Sequence, residues 1–394
     1  MEAHLHMWLS LLLRWSHFIV GIAWIGASFY FNWLENYLQR EHRPAGIAGD
    51  LWAVHGGGFY YLKKFAEAPG ELPPTLHWFK WEAYATWISG MALLITVFYW
   101  NAQTYMLNPD VSGITPLVAI SIGVLSLLAS WIFYDLLCRS ALSRREWLSG
   151  LLILAWFTLL AWILDSWLSG RAAYIHVGAA IGTIMVANVF RVIIPAQKDM
   201  VTAVTQDRQA NAGHGRKALQ RSRHNNYFTL PVLFIMVSSH YPATYGHPYN
   251  WLVLLVLSLA AVAIRHYFNI RHLPGSGAWP LILAAVLLAS LVIATAPLPR
   301  SVSRPGTSAT ATGTSQAYAI IRQRCVTCHA LTPDFEGFAE APLGVELDGE
   351  QKLLRYADRV YQTVVIAHTM PLGNLTRMTA AERQLIADWY GGLD

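Results

Sequence analysis

The chain has 394 residues, of which 55% are hydrophobic and 13% charged, with a formal net charge of +5 and a mean hydropathy of +0.35. Soluble domains carry roughly 25% charged residues, so this composition excludes an ordinary soluble enzyme and indicates a protein embedded in a lipid bilayer. The excess of basic residues is confined to a few segments, which indicates membrane topology and not a nucleic-acid partner.

A helix that crosses a membrane needs about 20 mostly apolar residues. Pro231 lies within one such segment, and membrane helices tolerate proline when neighbouring groups satisfy the freed carbonyl. The sequence predicts an all-α fold whose residues 1–298 form an eight-span transmembrane helical bundle. The predicted spans are 10–36, 76–100, 113–137, 147–168, 172–195, 226–244, 250–268 and 278–298.

The basic residues predict the orientation of these spans. Loops on one side of the predicted bundle carry nearly all of the loop Lys and Arg residues, whereas the loops on the other side carry only Arg171. Because cytoplasmic loops are enriched in Lys and Arg, the first set is predicted to be cytoplasmic. The N-terminus and everything after the eighth span are then predicted to be periplasmic, in a multi-pass protein of the inner membrane.

A stretch rich in Ser, Thr, Pro and Gly follows the last span. Residues 299–315 are predicted to be a flexible linker with a reach of roughly 20–25 Å. Residues 316–394 are predicted to be a small helical domain in which 350–367 form one amphipathic helix. Its closing helix is predicted to begin at a capping box of Thr379 and Glu382 and to stop near Gly391.

This C-terminal domain contains the motif Cys325-x-x-Cys328-His329, the pattern of covalent haem c attachment. Its two thiols add to the haem vinyl groups and His329 supplies the proximal iron ligand. Met370, in the non-helical stretch "HTMPLGN", is predicted to be the second axial ligand, and Met/His ligation suits electron transfer. Zinc or dithiol redox chemistry is the alternative, but the chain lacks a second Cys pair. We expect a class I cytochrome c domain in which Met378 packs in the core.

Two histidines of the predicted bundle are candidate ligands of a haem b. His17 and His176 each open a predicted span and are followed by small residues, and two His on neighbouring helices are able to hold a haem. The alternative is that both rings lie at the headgroup level, as amphipathic side chains do. Gly178 and Gly182 form a GxxxG pattern that predicts close helix packing.

Three polar stretches lie on the predicted cytoplasmic side. They are "VHGGGFYYLKKF" at 54–65, "LHWFKWEAYATW" at 76–87 and "RSRHNNYF" at 221–228. Together they supply cations, amides and aromatic faces, which suit a flat, anionic heterocycle. The alternative is that the cations anchor the helices to the membrane surface and the glycines form a plain turn.

The stretches "LRWSHFIVGIAWIGASFYFNWLE", "HGGGFYYLKKF" and "HNNYFTLPVLFIMVSSHYP", followed by "CVTCH" and "TMPLGN", together resemble the bacterial membrane-bound urate oxidases fused to a cytochrome c domain. The resemblance implies oxidation (hydroxylation) of urate to 5-hydroxyisourate in purine catabolism, with water as the oxygen source. It also implies that electrons pass to the fused haem c, and then to a soluble cytochrome c or terminal oxidase of the respiratory chain.

The resemblance suggests roles for residues of the three polar stretches. Glu82 or His224 is expected to act as the general base. Arg223 and Lys80 are expected to hold the anion, and a ring such as Trp81 to stack on it. The substrate-binding residues expected on this basis are His55, Gly57, Lys80, Trp81, Arg223, Asn225 and Asn226.

These expectations do not explain how electrons travel from urate to the haem c. If urate binds on the cytoplasmic side, electrons must cross about 30 Å of hydrocarbon to an outer haem c. Either a haem b bridges the bundle, or urate binds nearer the outer ends, by His17, His176 and His240. A different function, a quinol-to-cytochrome c electron-transfer subunit without urate chemistry, is the alternative. The oligomeric state is left open.

Overall fold

The computed structural model describes residues 1–42, 44–66, 69, 71–108, 113–209, 211–296, 310–335, 338 and 340–393. Long helices dominate its N-terminal part. The helices up to residue 296 are α1 (Glu2–Tyr37), α2 (Trp81–Leu93), α3 (Ala102–Tyr105), α4 (Pro116–Arg139), α5 (Glu146–Trp167), α6 (Gly170–Asn188), α7 (Ile194–Thr205), α8 (Ala212–Ser238), α9 (Pro242–Tyr245), α10 (Asn250–Ile270) and α11 (Trp279–Ala294).

Among the described residues, six helices are long and apolar enough to cross a membrane. Two of them continue through π-helical turns, Leu94–Tyr99 after α2 and Val189–Ile193 between α6 and α7. The other two predicted spans also lie on helices, but α11 has only 16 residues and α8 begins with a polar half. The six are His4–Tyr37, Trp81–Tyr99, Pro116–Arg139, Glu146–Trp167, Gly170–Thr205 and Asn250–Ile270.

The prediction of an all-α fold is wrong at one place, where an antiparallel hairpin pairs β1 (Ile47–His55) with β2 (Gly58–Phe65). The turn residues Gly56 and Gly57 have φ of 57° and 81°. Two successive positive φ angles define the tight turn that matches the twist of paired strands, and glycine adopts them without strain. The predicted glycine-rich turn therefore exists, but β-branched and aromatic residues on both sides of it form strands.

Helix α6 lies at the centre of the bundle, against α2, α4, α5 and α8. Its small residues allow that packing, since a Cβ on Gly178 would lie 2.6 Å from Cγ2 of Ile235 in α8. A Cβ on Gly182 would meet nothing within 4 Å. The predicted close approach is therefore confirmed at Gly178 only. Cys138 is buried in the same core.

The C-terminal domain has its own apolar core, separate from that of the bundle. The capping box of Thr379 and Glu382 is present, and Gly391 caps the end of the last helix. The predicted helix over 350–367 is broken into two short helices and the π-helical turn Tyr361–Ile366, and the first helix starts within the predicted linker. Residues 297–309 of that region lie outside the described residues. The domain's helices are α12 (Thr310–Arg324), α13 (Glu350–Arg355), α14 (Ala357–Val360) and α15 (Ala380–Tyr390).

The C-terminal domain packs on one end of the bundle. A Cβ on Gly373 would lie 2.8 Å from the carbonyl oxygen of Thr104 in α3, and a Cβ on Gly246, just after α9, would lie 2.6 Å from Cβ of Ala367. We call this the domain end of the bundle. At the opposite end, Nζ of Lys64 in the hairpin forms an ion pair with Oε2 of Glu35 in α1 at 2.6 Å. We call this the hairpin end of the bundle.

Candidate functional sites

The Cys-x-x-Cys-His motif lies where α12 ends, at the edge of the C-terminal core. The N–H of Cys325 donates to Ile321 and the N–H of His329 donates to Cys325, at 2.8 and 2.9 Å, so the motif continues the last turn of the helix. Both thiols are free, Cys325 buried and Cys328 half-buried. Nδ1 of His329 lies 2.8 Å from the carbonyl oxygen of Val345. A proton on Nδ1 leaves Nε2 available as a ligand.

Core packing and backbone hydrogen bonds hold Met370 in place in the same domain. It is half-buried and packs against the core that contains Cys325. Its N–H donates to Thr363 at 3.0 Å, and its carbonyl oxygen accepts from Nη1 of Arg383 at 2.7 Å. Met378 is only 4% exposed in that core, which agrees with its predicted packing role.

These groups suit a covalent haem better than a redox-active dithiol. Burial raises the pKa of Cys325 to about 12 and also raises the pKa of Cys328, whereas redox-active thiols depend on a lowered pKa. Burial lowers the pKa of His329, which favours the neutral imidazole that a ligand requires. Within the described part of the chain, no three His, Cys, Asp or Glu side chains meet as a metal cluster. Two free thiols, an imidazole Nε2 and a thioether match the donors of a haem c.

The hairpin end of the bundle holds a buried hydrogen-bond network that joins α4, α6 and α8. Arg221 donates to Oδ1 of Asp135 at 2.8 Å and to Oδ1 of Asn188 at 3.2 Å. Asn188 in turn donates to the hydroxyl of Tyr134 at 3.0 Å and to Oδ1 of Asn225 at 2.8 Å. Because these buried groups are partnered with one another, the network stabilises the packing of the three helices.

His224 lies beside this network. Its Nδ1 is 2.9 Å from the hydroxyl of Tyr134 and 3.8 Å from Sγ of Cys138. The imidazole is therefore held between a hydroxyl and a thiol of α4. This arrangement orients the ring and engages its Nδ1.

A cleft of about 400 Å³ opens onto the network at the hairpin end. Cations line it, but its carboxylates neutralise several of them. Asp135 binds both Arg139, at 2.7 Å, and Arg221, at 2.8 Å. Asp199, also in the lining, binds Arg208 at 2.7 Å, but Arg208 itself lies outside the lining. The cleft is large enough for a small heterocycle, but its most deeply buried guanidinium already has a carboxylate partner.

Asn226 belongs to a different cluster from Asn225. Its Oδ1 accepts from Nε of Arg265 at 2.9 Å and from Nδ2 of Asn269 at 3.0 Å, both on α10, and Asn32 of α1 donates to Asn269 at 2.6 Å. Successive residues of a helix point about 100° apart, so Asn225 faces α6 while Asn226 faces α10. The structure does not bring these two predicted amides into one pocket.

The remaining predicted substrate residues are spread over the surface of the hairpin end. His55 and Gly57 lie exposed at the tip of the hairpin. Lys80 precedes the first turn of α2, with its Nζ 5.6 Å from the ring centroid of Trp81. Trp81 itself is 67% exposed. The lining of the cleft beside the network of α4, α6 and α8 includes none of these four residues.

Arg223 and Glu82 also lie apart. Arg223 is exposed and forms a 3.3 Å ion pair with the equally exposed Glu146. Glu82 lies in the first turn of α2, and its Oε2 is buried without a hydrogen-bond partner among the described residues. Of the two predicted general bases, only Glu82 therefore has a buried atom left unpaired.

His17 and His176 each have hydrogen-bond partners within the bundle, and their role as haem b ligands stays a prediction. Helix α1 begins at Glu2, so His17 lies well inside it and not at its start, with Nδ1 3.0 Å from Oγ of Ser89. His176 is fully buried, with Nδ1 2.8 Å from the carbonyl oxygen of Ala172 and Nε2 3.1 Å from the hydroxyl of Tyr99. Both nitrogens of His176 are engaged, so the ring is a packed and partnered core histidine.

Sequence reasoning missed the buried ion pair between Asp135 and Arg221. Arg221 was assigned to a loop because the sixth span was predicted to begin at 226, whereas α8 begins at Ala212. The signal for Asp135 was present, since a carboxylate in the apolar run "WIFYDLLC" requires a partner. Arg14, a cation within the first predicted span, carried the same kind of signal.

The comparisons with known proteins give a single result. A family model described as urate oxidase N-terminal matches residues 3–296. No curated protein and no solved structure shows significant similarity to the chain. The match covers the whole bundle and stops before the C-terminal domain.

Proposed function

Because the chain belongs to the urate oxidase N-terminal family, we propose that it is a membrane-bound urate oxidase that passes electrons to a haem c in its own C-terminal domain. The family implies an oxidoreductase that acts on urate. The fused electron acceptor, the product 5-hydroxyisourate and the periplasmic position of the N-terminus and the haem domain are the finer parts of the proposal.

The packing of the C-terminal domain is the observation that carries the proposal. The segment that contains Met370 is the one that contacts the bundle, through Ala367 against Gly246 and through Gly373 against Thr104. Gly373 lies three positions after Met370 in the chain, a span of at most about 10 Å. The expected iron ligand therefore lies next to the family-matched bundle, as an internal electron acceptor requires.

The reaction balances as urate plus water giving 5-hydroxyisourate, two protons and two electrons. The new C–O bond takes its oxygen from water, and the urate ring is oxidised. A haem c with His and Met ligands, when bound, supplies a one-electron acceptor, so the two electrons leave in successive steps to a soluble cytochrome c or terminal oxidase. Within this chain, Cys325 and Cys328 would hold the haem and His329 and Met370 would ligate its iron.

The test is an anaerobic optical titration of the detergent-purified full chain. We expect urate alone to produce the reduced c-type absorption bands. We also expect product formed in ¹⁸O-labelled water to carry the label, with two equivalents of added soluble cytochrome c reduced per urate. A haem that dithionite reduces and urate leaves oxidised would contradict the proposal.

A further inference from the structure

We propose that Arg14 and Arg171 form the binding site for the urate anion at the domain end of the bundle, beneath the C-terminal domain. This inference rests on the proposed function and locates its substrate site. It places urate at the opposite end from the polar stretches that the sequence suggested, because the buried guanidinium groups there, those of Arg221 and Arg265, already have hydrogen-bond partners.

Arg171 lies in the first turn of α6, between aromatic rings. Its Cζ is 5.7 Å from the ring centroid of Phe98 and 5.3 Å from that of Tyr105. Its Nε is buried and has no hydrogen-bond partner among the described residues. A buried guanidinium N–H without an acceptor is costly unless a ligand supplies the acceptor.

Arg14 of α1 approaches the same place. Arg14 is exposed, and electrostatic repulsion couples its guanidinium to that of Arg171. Among the described residues, its Nε donates to Oγ of Ser10 at 3.2 Å. In the described part of the chain, no carboxylate forms an ion pair with either arginine.

Two like charges at the edge of a low-dielectric bundle favour the binding of an anion between them. Guanidinium groups bind planar oxyanions through two parallel hydrogen bonds, and they share aromatic surfaces with flat ligands. Phe98 and Tyr105 supply such surfaces beside Arg171. The chemistry of the site therefore fits a flat, anionic, oxygen-rich heterocycle.

The position of the site shortens the electron path. Tyr105 directly follows Thr104, the residue of α3 that contacts Gly373 of the C-terminal domain. Ser169, the N-cap of α6, donates from its Oγ to the carbonyl oxygen of Tyr105 at 2.7 Å, which fixes Arg171 relative to α3. An anion at Arg171 thus lies beside the docked segment that carries Met370, and electrons need not cross the hydrocarbon.

The phosphate of an anionic lipid headgroup offers similar chemistry at the membrane surface, so the experiment separates the two sources. The full chain is placed in phosphatidylcholine nanodiscs, with or without phosphatidylglycerol, and kept reduced with dithionite so that urate binds without turnover. Urate affinity is measured by equilibrium dialysis for wild type and for the Arg14→Gln, Arg171→Gln and Arg171→Lys variants. Arg144→Gln removes an exposed cation from the hairpin end and is the matched control.

We expect Arg14→Gln and Arg171→Gln each to weaken urate binding about tenfold to a hundredfold, while Arg171→Lys retains part of the affinity and Arg144→Gln all of it. Unchanged urate affinity in folded Arg14→Gln and Arg171→Gln protein, with the wild-type haem still reduced by urate, would overturn the site and leave the proposed function standing. Phosphatidylglycerol retention that depends on both arginines, without urate binding, would assign the site to lipid and overturn the inference. A wild-type haem that urate does not reduce would overturn the proposed function itself.

Discussion

Both ends of the bundle hold buried or half-buried arginines, but these arginines have different neighbours at the two ends. At the hairpin end, Arg221 lies against Asp135 and Asn188, and Arg265 lies against Asn226. At the domain end, Arg171 has aromatic neighbours and an unpaired Nε. Arginines with internal acceptors stabilise helix packing, whereas an arginine left without an acceptor can bind an anion from outside the chain.

The proposed urate site therefore lies at the domain end, the end that the sequence analysis offered only as an alternative. The polar residues of the hairpin end are numerous, but the buried ones that join α4, α6 and α8 hydrogen-bond to one another. The arginines of the domain end are few, but they lie beside the segment of the C-terminal domain that carries Met370. Variants at the two ends should therefore have different effects, on activity at one end and on stability at the other.

The largest effect is expected in the C-terminal domain. His329→Ala removes the imidazole Nε2 that would ligate the iron, so we expect urate-driven absorption changes and turnover to disappear. Urate binding, measured by equilibrium dialysis, should persist because the bundle is unchanged. Turnover at the wild-type rate by the variant would show that this haem is not the acceptor.

The next largest effect is expected on stability at the hairpin end, where a buried ion pair and an exposed one are compared. Asp135→Asn leaves Arg221 buried without a counter-charge, and we expect it to lower the free energy of unfolding by about 3–5 kcal/mol. Glu146→Gln makes the same chemical change in the exposed pair with Arg223 and should cost less than about 1 kcal/mol. Thermal unfolding in detergent measures both. Equal shifts in the two variants would mean that the buried network does not stabilise the packing of α4, α6 and α8.

A smaller effect should follow from disturbing the docking of the C-terminal domain. Gly246→Ala places a Cβ against Ala367, and we expect this overpacking to cost about 1–3 kcal/mol and to lower the docking equilibrium constant about 5- to 150-fold. Stopped-flow reduction of the haem by urate should slow accordingly. Gly182→Ala, where the new Cβ would meet nothing within 4 Å, is the control and should leave the rate unchanged.

The smallest effect concerns the last helix of the C-terminal domain. Thr379→Ala removes the hydroxyl that accepts from the N–H of Glu382 at 3.2 Å, and the loss of such a cap costs about 1 kcal/mol. Thermal unfolding of the domain, followed by its haem absorption, should shift down by a few degrees. An unchanged melting temperature would show that the cap does not contribute to the stability of the domain.

Local patterns predicted several of these elements. The apolar runs predicted eight helices of the bundle, and Thr379 and Glu382 predicted the start of the last helix, because both signals depend on residues close in sequence. The hairpin was missed since its alternating residues were interpreted only as aromatics around a glycine turn. The start of α8 was missed because a polar stretch that precedes an apolar one does not mark where a helix begins.

The candidate sites depended on information that the sequence does not contain. Asn225 and Asn226 are adjacent in the chain, yet the helix directs them to different neighbours. Conversely, Arg14 and Arg171 are far apart in the chain, and only the tertiary fold lets their charges interact. Which charges are partnered is decided by tertiary packing, so composition and motif spacing could not identify it.

The most direct test of the account is a single-turnover measurement without oxygen. Oxidised full-length protein is mixed with excess urate, and the reduced c-type band is followed at several protein concentrations. An internal, docked acceptor predicts a first-order rate that does not depend on protein concentration. A rate proportional to protein concentration, or no reduction by urate in protein that dithionite reduces fully, would contradict it.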